Sequence, residues 1–129
     1  MSKAEATGWE KEAEEIRQRH QWAEAMGGEE AVRLRHEKGF LTVRERIAGI
    51  ADRGSFQEVG KLTGKGEYDQ NGKIVKVIPA PYVMGIAEID GRPVAIGGED
   101  TTVRGGTSWG HGRRKGGQGG FIDDLAHSY

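Results

Sequence analysis

The apolar positions of the chain keep a helical period up to about residue 54 and a shorter one after it. Over residues 9–26, Trp9, Ala13, Ile16, His20 and Ala23 recur at intervals of three and four, with Glu and Arg between them, which predicts one amphipathic helix. Gly27 and Gly28 end that run, and a second short helix is expected over residues 29–38, stopping at Gly39. The third start is sharper. Thr42 followed by Glu45 forms a capping box, Val43, Ile47 and Ile50 line one face, and Gly54 lies just past the end.

From residue 55 the pattern is that of strands. Residues 55–60 read as a short strand, and residues 61–81 as a polar, irregular stretch with a turn signal at Asn71-Gly72. Two apolar runs follow, residues 83–89 and 93–97, joined by Asp90-Gly91. A two-residue Asp-Gly link predicts a hairpin, because the tight turn that suits twisted strands needs positive φ at both positions. Pro93 has no N–H for a ladder, so it belongs at the start of its strand or on an edge. Residues 121–129 predict a last helix, with Phe121, Leu125 and Tyr129 on one face and Asp123 and Asp124 near its positive end. A helix that stops at its own apolar face is expected of a truncated chain.

Composition adds limits. The 129 residues make one domain's worth of chain, and 35% hydrophobic against 30% charged is polar for a self-sufficient core. A net charge of -1 gives no general attraction to nucleic acid or anionic lipid. There are no cysteines, hence no disulfides, thiolate metal sites or Cys nucleophile. No apolar run approaches the roughly 20 residues of a membrane-spanning helix. The acidic N-terminus lacks the features of a signal or transit peptide, so the expected location is cytoplasmic.

The charge is nevertheless uneven. Ten of the 22 glycines lie from Gly97 to Gly120, and residues 101–120 contain Arg104, Arg113, Arg114 and Lys115 but no acid. This basic, glycine-rich loop before a helix suits an anion. It matches neither common phosphate motif: Lys115 stands where G-x-x-x-x-G-K-[ST] needs its second glycine, and also where G-x-G-x-x-G needs its third. A solvated loop is the bland alternative. An RGG-like nucleic-acid or scaffold module, using Trp109 and His111 for stacking, is another, but one RGG and one Trp fall short of the many phosphate contacts such binding needs. His20, His36 and His127 read as structural or surface residues, and no histidine pair has metal-site spacing. Glu99 and Asp100 are expected to bridge or cap the loop, with Arg104 as a nearby partner. The Trp9 and Trp22 helix reads as a packing surface.

Three blocks, in order, resemble the carboxyltransferase (β) subunits of biotin-dependent acyl-CoA carboxylases. They are Val43-Arg44-Glu45-Arg46-Ile47 with Asp52-Arg53-Gly54-Ser55-Phe56-Gln57-Glu58, then Gly85-Ile86-Ala87-Glu88-Ile89-Asp90-Gly91-Arg92-Pro93-Val94, then Glu99-Asp100-Thr101-Thr102-Val103-Arg104-Gly105-Gly106. They resemble the family's T-A-R-E-R-I and D-x-G-S-F-x-E, its G-x-G-x-I-D-G-R-P-V hairpin, and its Q-D-F-T-V-x-G-G. The resemblance implies an α/β fold: N-terminal helices over residues 1–54, then over residues 55–129 an incomplete first part of a crotonase-like (ClpP/crotonase) ββα superhelix.

It also implies transfer of a carboxyl group from carboxybiotin, held on a separate carrier, to an acyl-CoA, without a metal in this chain. The implied partners are acyl-CoA, a biotin carboxyl carrier or biotin carboxylase subunit, and further copies of a full-length subunit. A decarboxylase relative running the transfer in reverse has similar blocks. On this resemblance Gly105, Gly106, Arg113, Arg114 and Lys115 are expected to contact CoA. The family's oxyanion donors lie in later segments, so no catalytic residue is assigned, and the chain alone is expected to be neither a stable monomer nor active. Thr101 replaces the family's usual aromatic, the loop is more basic, and residues 61–81 match poorly, which leaves the acyl group open.

Overall fold

A computed structural model describes residues 8–106 and 121–128. Helix α1 (Glu10–Glu24) carries i,i+3 and i,i+4 pairs, Arg17 with Glu14 and Arg19 with Glu15, on its solvent side. Only its C-terminal half packs: Ala23 is buried and Trp22 half-buried, whereas Ile16 and Trp9 are exposed. The helix also ends before the glycines, and Met26 takes the left-handed conformation there at φ 54°. Helix α2 (Glu29–Glu37) has acids in its first turn and Arg35 and His36 in its last, as the helix dipole favours. Helix α3 (Val43–Ile50) starts with the expected capping box: Glu45 N–H donates to Thr42 Oγ1 at 3.2 Å, and Thr42 N–H donates to the Glu45 carboxylate at 2.8 Å.

Strands β1 (Gln57–Val59), β4 (Tyr82–Ile89) and β5 (Arg92–Glu99) form an antiparallel sheet in the order β1-β4-β5. The hairpin register runs from Tyr82↔Glu99 to Ile89↔Arg92, and the turn has φ 50° at Asp90 and 78° at Gly91. Pro93 sits near the start of β5, an edge strand, where a missing N–H is tolerated.

Residues 61–81 are not irregular. They build a second antiparallel pair, β2 (Gly64–Tyr68) and β3 (Ile74–Pro79), in register from Gly64↔Pro79. The Asp69 carboxylate organises the turn by accepting from Asn71 N–H (2.8 Å) and Lys73 N–H (3.0 Å), and Gly72 supplies the positive φ.

The core sits under the three-stranded sheet. Val43 and Ile47 of α3 pack on Val83 of β4, with Met26, Phe56 and Ile96 around them. Fully burying each such side chain contributes about 1.5–3 kcal/mol. Successive residues of β5 face opposite sides of the sheet. A Cβ on Gly98 would stand 2.8 Å from Val43 Cγ2 of α3, and one on Gly97 would stand 2.7 Å from Ile122 Cδ1 of the last helix, α4 (Phe121–Ser128). The glycine pair thus lets a helix approach each face.

Candidate functional site

The first two sequence blocks meet in space, and the third continues from β5. Arg44 of α3 forms a two-point ion pair with Glu58 of β1, Nη1 to Oε1 at 2.6 Å and Nη2 to Oε2 at 3.0 Å. Both side chains are largely buried, and Arg44 Nε is a buried donor without a partner. Asp52 grips the turn of the β4–β5 hairpin: its carboxylate accepts Asp90 N–H at 2.9 Å and Gly91 N–H at 2.8 Å. Its own N–H donates to Glu88 O at 2.7 Å. Ser55 Oγ accepts Glu88 N–H at 3.0 Å and donates to Asp52 O at 2.7 Å. A helix, a turn and a hairpin distant in sequence are therefore held as one unit by charge-assisted and backbone bonds.

The segment after β5 leads to the glycine-rich loop. Asp100 is 2% exposed. Its Oδ1 accepts both Thr102 N–H (3.0 Å) and Thr102 Oγ1–H (2.5 Å), and its N–H donates to Pro81 O (2.9 Å). Thr102 Oγ1 also accepts Gly27 N–H at 3.0 Å, which ties this turn to the α1–α2 connection. Gly27 is required there, because a Cβ would lie 1.8 Å from Thr102 O. Arg104, Gly105 and Gly106 then adopt φ of 49°, 64° and 84°. Three left-handed residues in a row turn the chain sharply, and the outer side of Gly105 faces open space.

Asp100 thus caps the turn at residues 100–103 that leads into the loop, and Arg104 is not its partner. Among the described residues Arg104 makes no ion pair with Glu99 or Asp100. Gly105 and Gly106 stand at the mouth of the loop, whereas Arg113, Arg114 and Lys115, with Trp109 and His111, lie outside the described residues.

Two described histidines make local contacts. His36 Nε2 lies 2.6 Å from Glu45 Oε1, linking α2 to α3, and His127 Nδ1 lies 2.6 Å from Asp123 O. His36, then the Thr42 backbone and hydroxyl, hold the Glu45 carboxyl down at about 2. Burial first, then the Glu99 and Asp123 carboxylates, push the Tyr82 phenol up. Among the described residues no cluster of three His, Cys, Asp or Glu has metal-holding geometry, and no helix is long and apolar enough to cross a membrane. Sequence reasoning missed Asp52, Ser55 and the Arg44–Glu58 pair as connectors. Their membership of the recognised blocks was the available signal.

Helices thus lie on both faces of an antiparallel hairpin sheet, an arrangement shared with the carboxyltransferase fold of the solved structures below. Residues 34–116 match the carboxyl transferase domain family, and the chain belongs to it. It is 38% identical over 104 residues to the methylmalonyl-CoA carboxyltransferase 12S subunit of Propionibacterium freudenreichii subsp. shermanii, covering 80% of this chain and 20% of that protein. It is 39% identical over 93 residues to the biotin-dependent long chain acyl-coenzyme A carboxylase beta4 subunit of Mycobacterium tuberculosis, covering 72% and 17%. A crystal structure of the transcarboxylase 12S hexamer, with methylmalonyl-coenzyme A and methylmalonic acid bound, superposes with a TM-score of 0.60 at 35% identity over 74% of this chain and 18% of that one. A single-chain, multi-domain long-chain acyl-CoA carboxylase shares the fold, with a TM-score of 0.66 at 23% identity, covering 91% and 12%. The chain spans about a fifth of the length of these curated relatives.

Proposed function

We propose that this chain works as part of a biotin-dependent acyl-CoA carboxyltransferase, which moves a carboxyl group between carboxybiotin and an acyl-CoA. The observation that carries the reading is the family match over residues 34–116, whose first two blocks are bonded to each other through Asp52 and Ser55. The segment's part is to hold CoA. Gly105 and Gly106 let the backbone approach a phosphate, and Arg113, Arg114 and Lys115 supply the charge. The transfer itself passes through an enolate, which needs hydrogen-bond donors aimed in advance at the thioester oxygen. This reading assigns those donors to other segments of the subunit. The working partners are a biotin carrier, its biotin carboxylase and further copies of the subunit, in the cytoplasm.

Phosphate contacts hold ground and transition states alike, so they act on KM. Replacing Arg113, Arg114 and Lys115 together by alanine in the full-length carboxyltransferase is expected to raise the acyl-CoA KM about tenfold, with kcat within about twofold. An unchanged KM removes the loop from CoA binding.

A further inference from the structure

Residues 100–106 carry the chain from the end of β5 to the mouth of the glycine-rich loop, and two turns in series shape them. Val103 N–H donates to Asp100 O at 3.2 Å, and Gly106 N–H donates to Val103 O at 2.8 Å. Val103 is buried and pins the middle of the segment. The far end is strained: Arg104 holds φ 49° without being glycine, beside Gly105 and Gly106. Such conformations persist where the surrounding structure over-determines them.

The surrounding structure reaches this segment through one hydroxyl. Thr102 has a single Oγ1–H, which it donates to Asp100 Oδ1 at 2.5 Å, and an Oγ1 lone pair remains for Gly27 N–H at 3.0 Å. Asp100 is buried and its own N–H is bonded to Pro81 O, so the acceptor for the hydroxyl is fixed. On the other side, Gly27 belongs to the α1–α2 connection, and Met26 before it is a second non-glycine residue of positive φ, at 54°. The Thr102 hydroxyl therefore joins two strained turns. Serine would keep both bonds, whereas valine has threonine's shape and makes neither.

We propose that Thr102 is a positioning residue for CoA: its hydroxyl locks the backbone of Arg104, Gly105 and Gly106 in the shape that meets the phosphates, and fastens that shape to the α1–α2 connection. Thr102 itself touches no substrate. The inference rests on the reading that the glycine-rich loop holds CoA. It goes further by giving the connection at Gly27, which precedes the matched residues 34–116, a part in supporting the loop.

The test is steady-state kinetics of the full-length carboxyltransferase carrying T102V, T102A or T102S, with assembly and circular dichroism checked for each protein. Two substrates are compared, an acyl-CoA and the matching acyl-pantetheine, which keeps the thioester and lacks the nucleotide and all phosphates. T102V is expected to raise the acyl-CoA KM about fivefold with kcat within about twofold, because phosphate contacts hold ground and transition states alike. With acyl-pantetheine, kcat/KM should stay within about twofold of wild type, since the loop has no phosphate to meet. T102A should behave as T102V does, and T102S as the wild type. A purely structural role would impair both substrates alike, or lower stability at an unchanged acyl-CoA KM, and either result overturns the proposal. So does T102S as impaired as T102V, or failure of both T102V and T102A to assemble. R113A/R114A/K115A is measured beside them. A raised KM there with an unchanged KM in T102V overturns the role of Thr102 alone, and wild-type KM in both overturns it together with the CoA reading of the loop.

Discussion

Removing the Asp52 carboxylate is expected to loosen the β4–β5 hairpin more than any other single change in its exposed turn. The carboxylate accepts Asp90 N–H and Gly91 N–H at 2.9 and 2.8 Å. Each bond has an ionised acceptor, worth about 1.5–3 kcal/mol where shielded, but both N–H groups are near solvent and water replaces part of the loss. About 1 kcal/mol per bond is the reasonable figure, so D52A should cost about 2 kcal/mol. The turn has φ of 50° at a non-glycine residue, Asp90, and without its anchor it frays. D52N keeps one acceptor and should cost about half as much, and S55A should lose about 1 kcal/mol through the Glu88 N–H bond. Against a typical stability of about 5–15 kcal/mol these are large fractions. Urea unfolding of the full-length carboxyltransferase subunit carrying each change, followed by circular dichroism, gives the ranking wild type, D52N, D52A with an unchanged slope. Amide hydrogen exchange should show Asp90 and Gly91 protected in the wild type and fast in D52A. Equal midpoints for all three proteins, with fast exchange at both amides in the wild type, would refute the clamp.

Three further outcomes follow from the same contacts. Because breaking a largely buried pair strands a charge, E58A should destabilise by about 2–4 kcal/mol, while the apolar double replacement R44M/E58L should lose less; urea midpoints that rank the other way contradict the account. Glu45 is held at about 2 in the folded chain against 4.5 ordinarily, so its contribution is present above about pH 4.5 and is lost as the pH falls towards 2; the acid-unfolding profile of E45Q should be flatter than wild type over that window, and a superimposable profile excludes the His36–Glu45 contact as its source. G27A places a Cβ 1.8 Å from Thr102 O, and the overpacking should cost about 1–3 kcal/mol with changed amide shifts at residues 100–104, whereas unmoved shifts would show that the two backbones are not in contact.

Local signals in the sequence were the legible ones. The Asp90-Gly91 turn, the Thr42–Glu45 capping box and the edge position of Pro93 each follow from one or a few neighbouring residues, and the structure carries all three. Strands β2 and β3 were hidden because Gly64, Lys65, Gly66 and Glu67 have poor strand propensity; tertiary pairing with Ile74–Pro79 overrides it. Helix α1 was read with an apolar face along its whole length, but only its C-terminal end has a strand to pack on, so Trp9 and Ile16 stay exposed. The face of α4 was read from Phe121, Leu125 and Tyr129, of which the Phe121 side chain and Tyr129 lie outside the described residues; the approach of Ile122 to Gly97 was not legible, since it depends on a missing Cβ in another element. The glycine pair read from the third block, Gly105 and Gly106, takes the positive φ of 64° and 84° that glycine allows. The Asp52 clamp was not legible, because its partners lie 38 and 39 residues away and are backbone amides without a side-chain signature.

The most direct test of the central claim is carboxyl transfer by a chimera in which residues 34–116 of this chain replace the matching segment of the Propionibacterium freudenreichii 12S subunit. The assay follows labelled carboxyl from carboxybiotin on its carrier to an acyl-CoA. The account predicts a chimera that assembles to the size of the parent and transfers label with kcat within about tenfold of it, since the segment supplies binding and not the enolate-stabilising donors. A chimera that assembles normally and transfers no label would contradict it.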